Sequence, residues 1–144
     1  MARPVGGAPA RLFVDSSVWL AYLSARDGRH AAADELIREA VAREATLLTS
    51  NLVLAEVQRL LLFRAGSRPA VAAIEGISSS PSVSILFPDV ELHLAALAWL
   101  SRFGDQELSY TDATSFCLMK HHRCSEALSF DRDFVFAGFT LWAP

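Results

Sequence analysis

The chain has 144 residues, a formal net charge of −3 and 52% apolar residues, with a mean hydropathy of +0.28. These values exclude an intrinsically disordered chain and describe one domain long enough to close a full core. The acidic balance argues against a duplex-DNA binder with a large phosphate footprint, and no uninterrupted apolar stretch reaches bilayer-spanning length.

Residues 1–10 are small and rich in Pro and Gly, with no apolar run before Arg11. They read as a short flexible lead and not a signal peptide, so the folded domain is expected over residues 11–144. Arg11, Leu12, Phe13 and Val14 form an apolar run ending at Asp15, the pattern of a buried strand. Residues 16–23 read as a helix broken at Asp27-Gly28. Residues 30–44 are rich in helix formers, with Ala33, Leu36, Ile37, Ala40 and Val41 as the apolar side. A second strand is expected at 45–49. Ser50 or Asn51 then caps a helix over 52–63, which ends at Ala65-Gly66-Ser67. Pro69 suits the first turn of a helix over 70–77. A polar turn leads to a third strand at 83–87, and Pro88-Asp89 opens a helix to about Phe103. After a loop, residues 110–122 are helical, 127–130 a fourth strand, 131–136 a short helical turn and 139–142 a last strand.

Strands separated by helices imply right-handed crossovers and an α/β domain whose mostly parallel central sheet is flanked by helices. Ligands in such sheets bind at the carboxyl ends of the strands. Four acids fall near such ends or on helices facing them: Asp15, Glu56, Asp112 and Asp131, with Asp133 as a fifth candidate. Each has an ordinary explanation. Asp15, Asp112 and Asp131 suit helix N-termini, where the dipole favours an acid. Glu56 lies on a helix stripe with Leu52, Val53, Leu60 and Phe63, and a salt bridge to Arg59 or Arg64 would account for it.

Their coincidence has a cost that the separate explanations omit. Two carboxylates about 5 Å apart repel by roughly 3 kcal/mol at an effective dielectric near 20. A divalent cation removes that repulsion, and a donor set made only of oxygen favours a hard ion such as Mg2+ or Mn2+. Asp15, Glu56, Asp112 and Asp131 are therefore the candidate ligands of one metal site, with Asp133 in an outer position. Cys117, His121, His122 and Cys124 crowd one helix end but lack a recognised zinc spacing, and read as core cysteines with surface histidines. Two cysteines give no disulfide framework, and without an export signal the expected setting is a reducing cytoplasm. Trp19, Trp99 and Trp142 read as core or interface residues, and Arg59, Arg64 and Arg68 as solvated helix charge.

Four segments resemble the PIN domain, and among its members the VapC toxins of bacterial toxin–antitoxin pairs. They are Leu12-Phe13-Val14-Asp15-Ser16-Ser17-Val18-Trp19, Leu52-Val53-Leu54-Ala55-Glu56-Val57, Tyr110-Thr111-Asp112-Ala113 and Ser129-Phe130-Asp131-Arg132-Asp133-Phe134. The resemblance implies a Mg2+- or Mn2+-dependent endoribonuclease, usually a homodimer, with RNA as substrate. It also implies a cognate VapB-like antitoxin whose C-terminal segment plugs the active site. Asp15, Glu56, Asp112 and Asp131 would be the catalytic quartet, with Asp15, Asp112 and Asp131 holding the metal and Glu56 acting on the attacking water. Ser17 would be the hydroxyl near the substrate, with Ser16 as the competing choice.

Three other readings compete with this one. A phosphorylation-switched receiver needs paired acids after the first strand and a lysine after the last, but Lys120 is the only lysine and precedes both late strands. An inactive PIN-like RNA or protein scaffold would not need the full acid set. A metal-dependent phosphatase or DNA nuclease shares the phosphoryl chemistry.

Overall fold

The structure is a computed structural model that describes residues 8–144, so most of the expected N-terminal lead lies outside the described residues. Five strands form one sheet: β1 (Arg11–Val14), β2 (Thr46–Ser50), β3 (Val83–Leu86), β4 (Glu126–Leu128) and β5 (Thr140–Leu141). Their order is β3-β2-β1-β4-β5, and all four pairings are parallel. The helices are α1 (Ser16–Leu23), α2 (His30–Ala42), α3 (Asn51–Ala65), α4 (Ser67–Ser79), α5 (Val90–Arg102), α6 (Tyr110–His121) and α7 (Asp133–Phe136). The chain belongs to the expected α/β class, and every element predicted from the sequence is present.

Parallel strands covered on both faces need continuous apolar runs. Leu12, Phe13 and Val14 meet that need and are fully buried. From β1 the chain moves outward through β2 to β3, then returns across the sheet to β4 on the other side of β1. The crevice between the carboxyl ends of β1 and β4 is thus the point where the winding direction reverses, where such folds bind ligands. Thr49 of β2 ties the centre together: its hydroxyl accepts from Trp19 Nε1 (3.2 Å) and donates to the Val14 carbonyl (3.4 Å).

A chain of aromatic rings sets the position of the late helices. Phe13 of β1 meets Phe134 of α7 with centroids 6.5 Å apart, and Phe134 meets Phe116 of α6 edge-on at 5.1 Å. Phe116 in turn touches Trp99 of α5 at 5.4 Å. Such edge-to-face pairs add about 0.5–1.5 kcal/mol each beyond area burial. Phe116 lies one helical turn after Asp112, and Phe134 directly follows Asp133, so this packing also fixes where two acids stand.

Two boundaries differ from expectation in an informative way. β4 ends at Leu128 and not at Phe130, because the Ser129 hydroxyl and the Phe130 amide are taken by side-chain bonds described below. α3 turns its core face through Val53, Leu54, Val57 and Leu61, of which only Val53 belongs to the stripe read from the sequence; Phe63 of that stripe is exposed. Glu56 therefore stands beside the core face and not within it. The helix is apolar on more than one side, which hid its true facing.

Phe116→Ala should lower unfolding free energy by about 3–5 kcal/mol in urea titrations, because a fully buried ring leaves a cavity. Trp99→Ala, at the half-buried end of the same chain of rings, should cost less.

Candidate active site

Asp15 follows β1 and extends its ladder: its amide donates to the Leu128 carbonyl of β4 at 3.0 Å. Its own carbonyl accepts from the Val18 and Trp19 amides, which starts α1. The side chain makes no cap bond to that helix. Instead Asp15 Oδ2 accepts two hydroxyl protons, from Ser17 Oγ at 2.8 Å and Ser129 Oγ at 3.0 Å. Both hydroxyls also accept: Ser17 Oγ from the Phe130 amide (3.1 Å) and Ser129 Oγ from the Asp131 amide (2.9 Å). Asp15 is 4% exposed, and burial pushes its pKa up while the two hydroxyls and the nearby Ser16 and Ser17 amides pull it down.

Asp112 is the third residue of α6 and completes a capping box with Ser109. Its amide donates to Ser109 Oγ at 3.0 Å, and its Oδ2 accepts from the Ser109 amide at 3.4 Å. The capping explanation is thus correct for Asp112, and it holds the carboxylate in place for a second use. Its pKa is raised from the ordinary 3.8 to about 6, first by burial, then by the charge of Asp15, with Asp131 adding to the rise. Asp131 lies in the loop after β4, where its Oδ1 accepts from the Asp133 amide at 2.9 Å and so shapes the start of α7. The Asp133 pKa is also raised, by burial and then by Asp131.

Carboxylate oxygens of Asp112, Asp131 and Asp133 all come within 4.8 Å of one another. Among the described residues this is the one cluster of metal-ligating side chains of its kind. Asp133, expected from the sequence in an outer position, therefore stands in the group itself. Asp15 is outside that trio, more deeply buried and linked to Asp112 through space. Glu56 reaches the same end of the sheet from α3, held by Ser16 Oγ, which donates to its Oε1 at 2.7 Å. Neither arginine proposed to neutralise Glu56 does so: Arg64 pairs with Asp27 at 3.5 Å, and Arg59 lies over the Phe63 ring. The two serines thus divide the work, Ser17 on Asp15 and Ser16 on Glu56.

An oxygen-only set of three close carboxylates fits a hard divalent cation, which would offset the repulsion that adds to the effect of burial on the Asp112 pKa. The Cys/His group at the end of α6 makes no such cluster. Cys117 and Cys124 are buried, and Cys124 Sγ is turned to backbone carbonyls of Arg11 and Glu126. A cleft of about 1020 Å3 lies elsewhere. It runs between the α1–α2 loop, α3 and α4, and contains none of the clustered acids.

A model of the PIN domain matches residues 12–139. The chain belongs to the PIN-domain family. It is 40% identical over 133 residues to the 23S rRNA-specific endonuclease VapC20 of two Mycobacterium tuberculosis strains, covering 92% of this chain and 98% of the relative. The crystal structure of Mycobacterium tuberculosis VapC20, described as a sarcin–ricin loop cleaving toxin, superposes with a TM-score of 0.84 at 38% identity, over 92% of this chain and 99% of that one. FitAcB from Neisseria gonorrhoeae superposes at 0.62 with 17% identity over 92% and 97% of the two chains, a likeness of fold alone. Within the described part of this PIN domain, no helix is long and apolar enough to cross a membrane.

The Asp112 shift has a testable sign. Its folded pKa of about 6 lies above the ordinary 3.8, so its contribution to stability is greatest below 3.8 and is lost as pH rises through 6. At pH 8 the ionised group is a liability in the metal-free protein. Asp112→Asn should therefore raise the Tm of the metal-free protein at pH 8 by roughly 2–4 °C. It should also abolish the further rise that Mg2+ or Mn2+ gives the unsubstituted protein, both read by scanning calorimetry.

Proposed function

We propose that this PIN domain, extending over residues 11–144, is a Mg2+-dependent endoribonuclease and the toxin of a VapBC-type pair. The observation that carries the reading is the convergence of Asp112, Asp131 and Asp133 beside the buried Asp15 at the β1–β4 crevice, in a chain 40% identical to a 23S rRNA-specific endonuclease. Ribosomal RNA is accordingly the substrate class to which the reading commits.

Asp15, Asp112 and Asp131 are the proposed metal ligands, and Asp133 joins them by its position. When bound, Mg2+ or Mn2+ supplies positive charge against the scissile phosphate and acidifies water beside it. The remaining chemistry belongs to the side chains. Ser17 and Ser129 donate to one oxygen of Asp15, which favours its ionised form despite burial. Glu56 orients the attacking water and takes its proton; Ser16 occupies Oε1 and so fixes the direction of the carboxylate. Water oxygen bonds to phosphorus as the leaving RNA oxygen departs in line and acquires a proton. No histidine and no RNA 2′-hydroxyl is needed. Ser17 serves the substrate through the carboxylate it holds.

A cytoplasmic setting, a VapB-like antitoxin and a homodimer complete the proposal. The homodimer is supported by α5, which turns Val90, Leu94 and Leu97 to solvent at helical spacing beside exposed Phe87.

Asp15→Asn should lower cleavage of a 23S rRNA fragment by roughly a hundred-fold or more while leaving the circular dichroism spectrum unchanged. EDTA should stop cleavage by the unsubstituted protein, and added Mg2+ or Mn2+ should restore it. Cleavage that persists in EDTA, or in a clean Asp15→Asn preparation, defeats the metal-nuclease assignment. An inactive scaffold would show no metal-dependent cleavage at all.

A further inference from the structure

An acidic cleft must still attract a polyanion, and Arg29 stands over the ring of the residue that precedes Asp131. Arg29 is exposed at the N-cap of α2. A cation there is disfavoured by the helix dipole, and its side chain caps nothing. Among the described residues it forms no ion pair, whereas Arg38, Arg43 and Arg64 each meet a carboxylate. Its guanidinium carbon lies 5.1 Å from the ring centroid of Phe130.

Phe130 is not an arbitrary seat. It lies between Ser129 and Asp131, and its amide donates to the Ser17 hydroxyl that holds Asp15. The ring is thus fixed to the same hydrogen-bond network as the buried carboxylate. The turn that presents Arg29 is fixed as well: Asp27 Oδ1 accepts the Arg29 amide at 2.8 Å, and His30 Nδ1 bonds the Ala21 carbonyl at 2.8 Å. An exposed, rigidly presented guanidinium that stacks on an aromatic ring keeps its N–H groups free at the edge, the arrangement used to grip phosphate oxygens two at a time.

We propose that Arg29, seated on Phe130, is a substrate-positioning residue that grips a backbone phosphate of the RNA strand next to the one that is cut. The inference rests on the nuclease reading and adds to it the path of the strand, which runs between the acids and the α1–α2 turn.

The test uses a fluorescein-labelled RNA stem-loop with the sarcin–ricin sequence and the full-length protein. Binding is followed by anisotropy in EDTA across a series of KCl concentrations, and single-turnover cleavage is followed in Mg2+. Arg29→Ala should weaken binding about ten-fold and reduce the slope of log affinity against log salt by about 0.7, the loss of one single-strand phosphate contact. Arg29→Lys should keep the slope and lose part of the affinity, since it keeps the charge without the fork. Arg38→Ala, on the same helix but paired to Asp34, should match the unsubstituted protein in both. In cleavage, Arg29→Ala should raise the half-saturating protein concentration while the maximal rate stays within about three-fold. An unchanged salt slope for Arg29→Ala, or an equal loss for Arg38→Ala, overturns the inference even when the unsubstituted protein cleaves normally. Absence of any metal-dependent cleavage by the unsubstituted protein defeats the nuclease reading instead, and with it the catalytic sense of the Arg29 contact.

Discussion

A carboxylate buried at the end of the central strand is the constraint around which the rest of this molecule is arranged. Asp15 is almost wholly withdrawn from solvent, so most of its charge must be met by the protein itself. It is met by two serine hydroxyls that come from opposite sides of the β1–β4 crevice, Ser17 from the first turn of α1 and Ser129 from the end of β4. Each hydroxyl has one proton to give and lone pairs to fill. Because each gives its proton to Asp15, each is oriented to accept from a backbone amide, and those amides belong to Phe130 and Asp131. Satisfying one buried charge thereby sets the path of the loop that carries the next acid.

The same economy extends outward through packing. Asp112 is placed by its capping box and by Phe116 one turn later; Asp133 is placed by Phe134 beside it. These two rings meet edge-on in the core, so the spacing of two carboxylates on different helices is inherited from an aromatic contact. The pKa values of Asp112 and Asp133 are raised first by burial and then by neighbouring carboxylates, Asp15 and Asp131 for Asp112 and Asp131 for Asp133. Arrangements of like charges with no compensation are selected against in a core, and in a PIN domain the compensation is a cation that arrives from outside.

Much of this was legible in the sequence because its carriers are local. Apolar runs ending at Asp15 and Asp131 mark the two strands that flank the crevice, and Ser50 and Asp89 do cap the helices they precede. The identity of the acids followed from strand ends, and their order was enough to suggest the family. What the sequence concealed depends on rotation and reach. Glu56 was placed on the wrong stripe of α3, since Leu52, Leu54, Val57, Leu60 and Leu61 leave more than one apolar face to choose from. Asp133 was ranked below Asp131 because chain distance from the strand was the only guide, whereas the turn at Arg132 brings both to the cluster. The split between Ser16 and Ser17 follows from adjacent residues in a helix pointing about 100° apart, which no pattern of residue types reports. Arg29 carried no signal at all: its interest lies in a ring across the fold, a hundred residues later.

Net charge was a weaker guide than its arrangement. A chain at −3 has little long-range attraction for RNA, and the acids at the crevice oppose the approach of phosphate until a cation sits among them. Affinity must then come from short-range contacts at the margin of the site, where the Debye length of about 8 Å in physiological salt still lets a single guanidinium act on a phosphate beside the cluster. The basic side chains are almost all arginine, which suits that requirement. A planar fork binds phosphate with direction, and it stacks on aromatic rings without losing its donors; a lysine does neither. In such a protein specificity for a folded RNA would arise from where the few free arginines stand relative to the acids, and not from the size of a basic surface.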